Sequence, residues 1–89
     1  MNNPQESPLT FPAEFPIKAT GRATPDFETK VIEIVRRHAP DLDTSAITRR
    51  TSQGGKYLAV TVTIQTASRE QLDAIYQDLT ACKEVLWAL

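Results

Sequence analysis

The chain has 89 residues, a formal net charge of −1 and a pI near 5.7. This length allows one two-layer domain, and a deep cleft between two lobes is out of reach unless a partner subunit supplies the other wall. The near-neutral charge provides no global field for nucleic acid or an anionic membrane, so we expect neither as a partner.

Residues 1–10 are polar and proline-rich, with neither a basic start nor an apolar run. This composition predicts a disordered tail rather than a signal peptide, and residues 11–89 then form a single domain. No stretch approaches the roughly 18 apolar residues that a membrane-spanning helix needs. We therefore expect a soluble protein.

Alternating apolar residues predict the first strand over Phe15–Arg22, which Gly21 ends. Thr24 followed by Pro25 predicts a helix start, because the threonine hydroxyl can cap free amides and proline fits the first helical position. Pro40 ends this helix. The apolar stripe of the helix comprises Phe27, Val31, Ile34, Val35 and His38.

The middle of the chain predicts a β-hairpin. Thr44–Ser52 has one strongly apolar residue, Ile47, which is typical of an edge strand. Residues 53–55 contain two glycines, which accept the positive φ angles of a tight turn. Lys56–Thr66 alternates strictly between apolar and polar residues, as expected of a central strand with one covered face.

The last third of the chain predicts a second helix and a short strand. Ser68 followed by Gln71 is the sequence pattern of a capping box and begins the helix. Val85–Leu89 then forms the final strand. Trp87 is two residues from Val85 and two from Leu89, so the alternation of a strand puts all three side chains on one face. We expect this to be the face covered by the helices, which places Trp87 in the core. Were it exposed instead, it would be the best anchor for an interface.

This order of elements predicts an α+β fold, a ferredoxin-like βαββαβ two-layer sandwich. Right-handed crossovers give an antiparallel sheet of order 4-1-3-2 with both helices on one face. The other face stays open and carries Tyr57, Thr61 and Thr63, with Leu86 and Ala88 as further candidates. A mildly polar, flat face of this kind predicts an interface, and one expected occupant is a second copy in a homodimer.

Three loops are predicted to meet at one end of the sandwich, beside the N-terminus of the first helix. They bring basic side chains close to free helix amides, which suits a carboxylate or a phosphate. The predicted ligand-binding residues are Gly21, Arg22, Ala23, Thr24, Arg50, Lys56 and Lys83. The alternative is that these charges belong to solvated loops.

No arrangement of residues indicates an enzyme. His38 is the only histidine, and its place at a helix end favours dipole compensation or a terminal hydrogen bond over catalysis. Only Asp41 and Asp43 could join it around a metal, so we expect no metal or other cofactor. Cys82 is interpreted as a small buried residue, with a reactive thiol beside Lys83 as the alternative. A single cysteine also excludes an intrachain disulfide and fits the cytosol.

The sequence does not predict an RNA-binding sheet face. Residues 55–60 resemble the RNA-recognition motif only at Tyr57, because Ala59 stands where a second aromatic ring would be. The first strand adds no aromatic residue to the same face.

Several short motifs together carry a family resemblance. They are Phe11-Pro12, Phe15-Pro16, Lys18, Gly21, Ala23, Pro25 and Arg37-His38-Ala39-Pro40. In this order they resemble the YbeD-like family of small uncharacterised bacterial proteins, over nearly all of residues 11–89. The resemblance implies a ferredoxin-like domain similar to the ACT domains that regulate amino-acid enzymes, without an established ligand. In ACT-like proteins the effector lies near the loop after the first strand, which here is residues 21–24.

The leading hypothesis is a non-catalytic, cytosolic, ACT-like regulatory module that binds a small carboxylate at residues 21–24. Arg22 and Lys56 would supply the positive charge. The alternative is a protein-interaction adaptor that uses the open sheet face or the edge strand Thr44–Ser52 and has no small ligand.

Overall fold

The computed structural model describes residues 12–89, so the tail predicted over residues 1–10 lies outside the described residues. Four strands and two helices follow one another in the predicted order. They are β1 (Ala13–Arg22), α1 (Phe27–His38), β2 (Ile47–Thr51), β3 (Tyr57–Thr66), α2 (Arg69–Ala81) and β4 (Val85–Ala88). The sheet is antiparallel with order β2-β3-β1-β4, which confirms the predicted ferredoxin-like sandwich.

The core lies between one face of the sheet and the two helices. Both central strands and both helices contribute fully buried side chains, as the alternation and the helical stripes predict. The most enclosed of these are Ile17, Phe27, Val31, Val35, Val60, Val62, Ile75 and Leu79. Since no element covers the other face of the sheet within the described part of the chain, that face is available to solvent.

The start of α2 confirms the predicted cap at Ser68. The Ser68 hydroxyl accepts a hydrogen bond from the Gln71 backbone N–H at 3.1 Å. The Gln71 carboxamide oxygen accepts from the backbone N–H of Ala67 at 2.7 Å, and its Nε2 donates to the His38 carbonyl at 2.7 Å. One glutamine side chain therefore joins the start of α2 to the end of α1.

The predicted start of α1 is wrong by two residues. The helix begins at Phe27, and its N-cap residue, Asp26, makes no side-chain cap hydrogen bond. Thr24 still belongs to the turn after β1, because its N–H donates to the Arg22 carbonyl at 2.8 Å. Its hydroxyl therefore does not take the capping role, and only its carbonyl receives the Phe27 N–H, at 3.3 Å.

The edge position of β2 is confirmed, although the strand is shorter than predicted. A single 3-10 turn over Thr44–Ala46 precedes it, and the Asp43 side chain caps this turn by accepting the Ser45 N–H at 3.0 Å. Hydrogen bonding from Ser45 to the Asp43 carboxylate lowers the pKa of Asp43. On the helix side of β2, Arg49 forms a two-point ion pair with Glu28, with Nε at 2.8 Å from Oε1.

The hairpin between β2 and β3 is confirmed. Gly54 and Gly55 have φ angles of 89° and 74°, which a side chain would strain. The Ser52 carbonyl accepts the Gly55 N–H, and the Ser52 hydroxyl accepts the Tyr57 N–H at 3.0 Å. This turn fixes the register that places alternate residues of β3 on the open face.

Candidate functional site

The final strand exposes the only tryptophan of the chain on the open sheet face. The pairing of β1 with β4 shifts by one residue at Leu86, which forms a β-bulge. A bulge resets the alternation of side chains, so Val85 and Ala88 turn toward the core while Trp87 turns outward. Trp87 is 54% exposed. The prediction that Trp87 belongs to the core is therefore wrong, and so is the placement of Ala88 on the open face.

Tyr57 lies beside Trp87 on this face and attracts two cations. The two ring centroids are 6.4 Å apart and the ring planes are inclined by 45°. The guanidinium carbon of Arg22 is 6.0 Å from the Tyr57 centroid, and Lys56 Nζ is 5.9 Å from it. These are cation–π distances, and they bring two of the predicted ligand-binding residues onto the open face.

A shallow depression of about 370 Å³ separates the aromatic pair from the edge strand β2. Its lining is more apolar than polar and includes Arg50, another predicted ligand-binding residue. The lining residues are Thr20, Arg50, Thr51, Ser52, Gln53, Tyr57, Ala59 and Trp87. We name the aromatic–cation patch as the set Arg22, Arg50, Lys56, Tyr57 and Trp87.

Charge is distributed unequally between the two faces of the molecule. The strand register places Lys18, Arg22 and Arg50 on the open face, with Lys56 at its edge and Glu14 as the one described carboxylate there. The other described carboxylates lie on the helices and their adjoining loops, and they are Asp26, Glu28, Glu33, Asp41, Asp43, Glu70, Asp73, Asp78 and Glu84. Within residues 12–89, the ion pairs all involve the helices. The open face is therefore locally positive although the chain is not.

The structure does not gather all of the predicted ligand-binding residues at one place. Gly21 is buried, and a Cβ there would lie 2.3 Å from the Glu84 carbonyl oxygen, so this glycine serves close packing rather than the approach of a ligand. The Ala23 N–H donates to the Lys56 carbonyl at 3.0 Å and is not free for an anion. Gly21 and the Ala23 N–H therefore do not offer open backbone to a ligand, and binding at this edge stays a prediction.

Three of the predicted residues do share a second, smaller depression. Arg22, Thr24 and Lys83 line a space of about 270 Å³ together with Glu84 and Leu86. The Glu84 carboxylate places negative charge beside the cations. Arg22 therefore stands between two spaces, this one and the open face, while Arg50 and Lys56 belong to the open face alone.

Cys82 lies at the end of α2 and is half-buried against the core. Its thiol donates to the Glu84 carboxylate at 3.3 Å, and this hydrogen bond lowers the pKa of Glu84. Cys82 therefore has the partly apolar surroundings predicted for a packed residue.

His38 ties α1 to α2 through a carboxylate. Its Nε2 lies 2.7 Å from Asp78 Oδ2, and Arg37 Nη1 lies 3.6 Å from the same oxygen. The hydrogen bond from His38 lowers the pKa of Asp78. Placing His38 in the apolar stripe of α1 is wrong, whereas a hydrogen-bonding role at the helix end is what the geometry gives it.

Neither a metal cluster nor a membrane helix occurs in the part of the chain that the structure describes. Residues 12–89 contain no group of three or more histidine, cysteine or acidic side chains arranged around a cation. A space of about 760 Å³ lies at the other end of the sandwich and is lined partly by Pro40, Asp41 and Asp43. No described helix is long and apolar enough to cross a membrane.

Residues 6–89 match the family model described as a protein of unknown function, DUF493. The chain belongs to this family. Among the relatives of the chain, UPF0250 protein RSc0326 of Ralstonia nicotianae is 42% identical over 78 residues, which are 88% of this chain and 80% of the relative. UPF0250 protein NE1487 of Nitrosomonas europaea is 44% identical over 75 residues, 84% of this chain and 86% of the relative. The predicted membership of the YbeD-like family of small bacterial proteins is confirmed.

A solved structure supports the fold of this DUF493 chain. The solution structure of protein HP0495 from H. pylori superposes with a TM-score of 0.71, covering 100% of this chain and 94% of HP0495. The two sequences are 16% identical, so the similarity concerns the fold alone.

Sequence reasoning missed the aromatic–cation patch because it treated β4 as a regular strand. Alternation from Val85 directs Trp87 inward, and only the bulge at Leu86 reverses this. The available signal was the placement of the basic residues: Lys18, Arg22 and Arg50 all fall at open-face positions once the strands are in register.

Proposed function

We propose that this DUF493 protein is a non-catalytic binding module whose open sheet face captures a negatively charged partner at the aromatic–cation patch. The observation that supports this most directly is the exposure of Trp87 beside Tyr57 on a face rich in cations. An exposed tryptophan contributes little to the core, whereas aromatic and arginine side chains dominate the energy of binding surfaces.

The proposal develops the adaptor hypothesis derived from the sequence. The predicted interface residues Tyr57, Thr61 and Thr63 lie on the open face of β3, where each is half-buried. Only Tyr57 belongs to the patch. The two threonines extend the same face toward its other end and would support a partner that covers more of the sheet.

The small-carboxylate hypothesis is a second candidate, because Arg22, Thr24 and Lys83 line one depression. An Arg–Lys pair beside a hydroxyl can hold a carboxylate by charge-assisted hydrogen bonds. A regulatory, ACT-like role would follow from such binding. Glu84 in the same depression opposes an anion, which is why the open face supports binding better.

A homodimer is another occupant of the open face that the sequence suggests. Face-to-face contact would bring the cations Arg22, Arg50 and Lys56 of one copy near those of the other, and like charges oppose such an interface. We therefore propose that this face is free in solution. Light scattering should give the mass of one chain, 9.9 kDa. A dimer that persists on dilution and shields Trp87 from a collisional quencher would contradict this proposal.

The single cysteine is consistent with a reducing compartment, and we propose the cytosol as the location. Fractionation of cells expressing the full chain would test this, with recovery in the membrane or extracellular fraction as the contrary result.

The binding proposal can be tested with the tryptophan itself. Because Trp87 is the only tryptophan, its fluorescence reports on the patch without a label. We would titrate the full chain with free glutamate, an oligoglutamate and a short oligonucleotide, in wild type and in Arg50→Gln. A matched control is Arg36→Gln, which removes an equal charge from an exposed position on α1.

At least one anion should change the fluorescence of Trp87, and Arg50→Gln should weaken that response while Arg36→Gln leaves it unchanged. If free glutamate instead shifts only the NMR amide signals of Arg22, Thr24 and Lys83, the second candidate is favoured. If none of the anions acts at either place, both candidates are wrong.

A further inference from the structure

We infer that the anion recognised by the open face is a single-stranded nucleic acid, whose bases stack on Tyr57 and Trp87 while its phosphates meet the surrounding cations. This rests on the proposed function, because it names the class of partner at the same patch. It also replaces the expectation, drawn from the sequence, that the protein has no nucleic-acid partner.

The first reason is the aromatic pair. The expectation of no RNA-binding face depended on Ala59 occupying the position of a second ring in β3. Trp87 supplies that ring from β4, with its centroid 6.4 Å from the centroid of Tyr57. Trp87 is 54% exposed and Tyr57 is half-buried beside it, and bases of any identity can stack on such rings because every base has a π face.

The second reason is the local charge. Lys18, Arg22, Arg50 and Lys56 form no ion pair with a carboxylate among residues 12–89. Arg22 and Lys56 lie at cation–π distance from the Tyr57 ring and Arg50 lines the depression beside both rings, so positive charge is available next to the rings for the phosphates of a strand. The net charge of the chain is −1 although the open face is positive, because the helices carry most of the carboxylates.

The geometry also favours a nucleic acid over a protein segment. An extended peptide binds a sheet by pairing its backbone with an edge strand, whereas a sheet face offers side chains only. An acidic peptide would satisfy the cations but leave the two rings without stacking partners. A duplex would present its phosphates while keeping its bases stacked inside, where they cannot stack on the two rings.

The test measures affinity and place of binding separately. Affinity for an end-labelled oligothymidine of about ten nucleotides, a typical site size, would be followed by anisotropy. The place of binding would be followed by quenching of Trp87 with the unlabelled strand. Trp87→Ala and Tyr57→Ala should each weaken affinity about 5- to 150-fold, the range measured for lost stacking. Trp87→Phe retains a ring and should recover most of the affinity, which separates stacking from damage to the fold.

Salt dependence tests the phosphate contacts. The logarithm of affinity should fall with the logarithm of salt concentration, with a slope that Arg50→Gln reduces by about 0.7. Arg36→Gln, on the helix side, should leave both affinity and slope unchanged. Equal binding of a duplex of the same length would overturn the stacking argument.

The outcomes separate this inference from the function on which it rests. If oligoglutamate quenches Trp87 and the oligonucleotide does not, the inference is wrong while anion binding at the open face stands. If Arg36→Gln weakens oligonucleotide binding as much as Arg50→Gln does, the site is not on this face. If no anion quenches Trp87, both proposals fall.

Discussion

Replacing Gly21 with alanine tests whether this glycine serves packing or a ligand. An added Cβ would lie 2.3 Å from the Glu84 carbonyl oxygen and 2.4 Å from Cε1 of Phe27. The Phe27 ring is fully buried, and the carbonyl belongs to the backbone that leads into β4, so neither neighbour can move freely. Overpacking of this kind costs about 2–3 kcal/mol. That is a large part of the roughly 5–13 kcal/mol expected for a domain of this length.

Urea denaturation followed by circular dichroism measures this loss. With an m-value of about 1–2 kcal/mol/M, the midpoint should fall by about 1–3 M. Gly54→Ala is the matched control, because a Cβ there meets nothing within 4 Å and only the φ of 89° is unfavourable. That control should cost roughly 1 kcal/mol. If the free energy of unfolding of Gly21→Ala is within about 0.5 kcal/mol of the wild-type value, the packing explanation is refuted. Gly21 would then again be a candidate for the approach of a ligand.

Three further changes have expected outcomes. Trp87→Ala should alter the free energy of unfolding by less than about 1 kcal/mol, whereas truncating a core tryptophan would cost about 3–5 kcal/mol in the same denaturation assay. Ser68→Ala should destabilise by about 1 kcal/mol through the lost cap, while Thr24→Ala should have almost no effect, and equal losses would contradict the observed helix starts. His38→Ala should raise the pKa of Asp78 in a carboxyl-carbon NMR titration. Because the folded-state pKa of Asp78 is lowered, the pair stabilises the fold above about pH 4 and loses this effect as pH falls through the lowered value.

The order of elements was predictable because local signals agreed with one another. Strict alternation in β3, the Ser68 cap and the two hairpin glycines each indicated one kind of structure, and each is confirmed. A hydrophobic stripe on two helices and one apolar face on four strands leave few ways to build a two-layer domain. The edge position of β2 was predictable because Thr44–Ser52 contains only one strongly apolar residue, Ile47.

The candidate site was less predictable, because it depends on one irregularity and on long-range placement. A β-bulge such as that at Leu86 has no strong sequence signal, yet it moves Trp87 from one face to the other. The loops at the basic edge were correctly expected to lie near one another. Their functional groups nevertheless differ in availability: Gly21 is enclosed by Phe27 and Glu84, and the Ala23 N–H is already bonded.

The side chains of the open face are separable from the forces that hold the fold. Stability comes from the residues between sheet and helices, where Ile17, Phe27 and Val60 are fully buried. Trp87 is more than half exposed and Arg22 is exposed, so a small polar residue at either position would leave the core intact. Exposure of a large aromatic side chain gains nothing for folding and favours unwanted association. The position of Trp87 beside Tyr57 and the cations agrees with a role outside stability, and the proposed binding of an anion that carries flat rings is such a role.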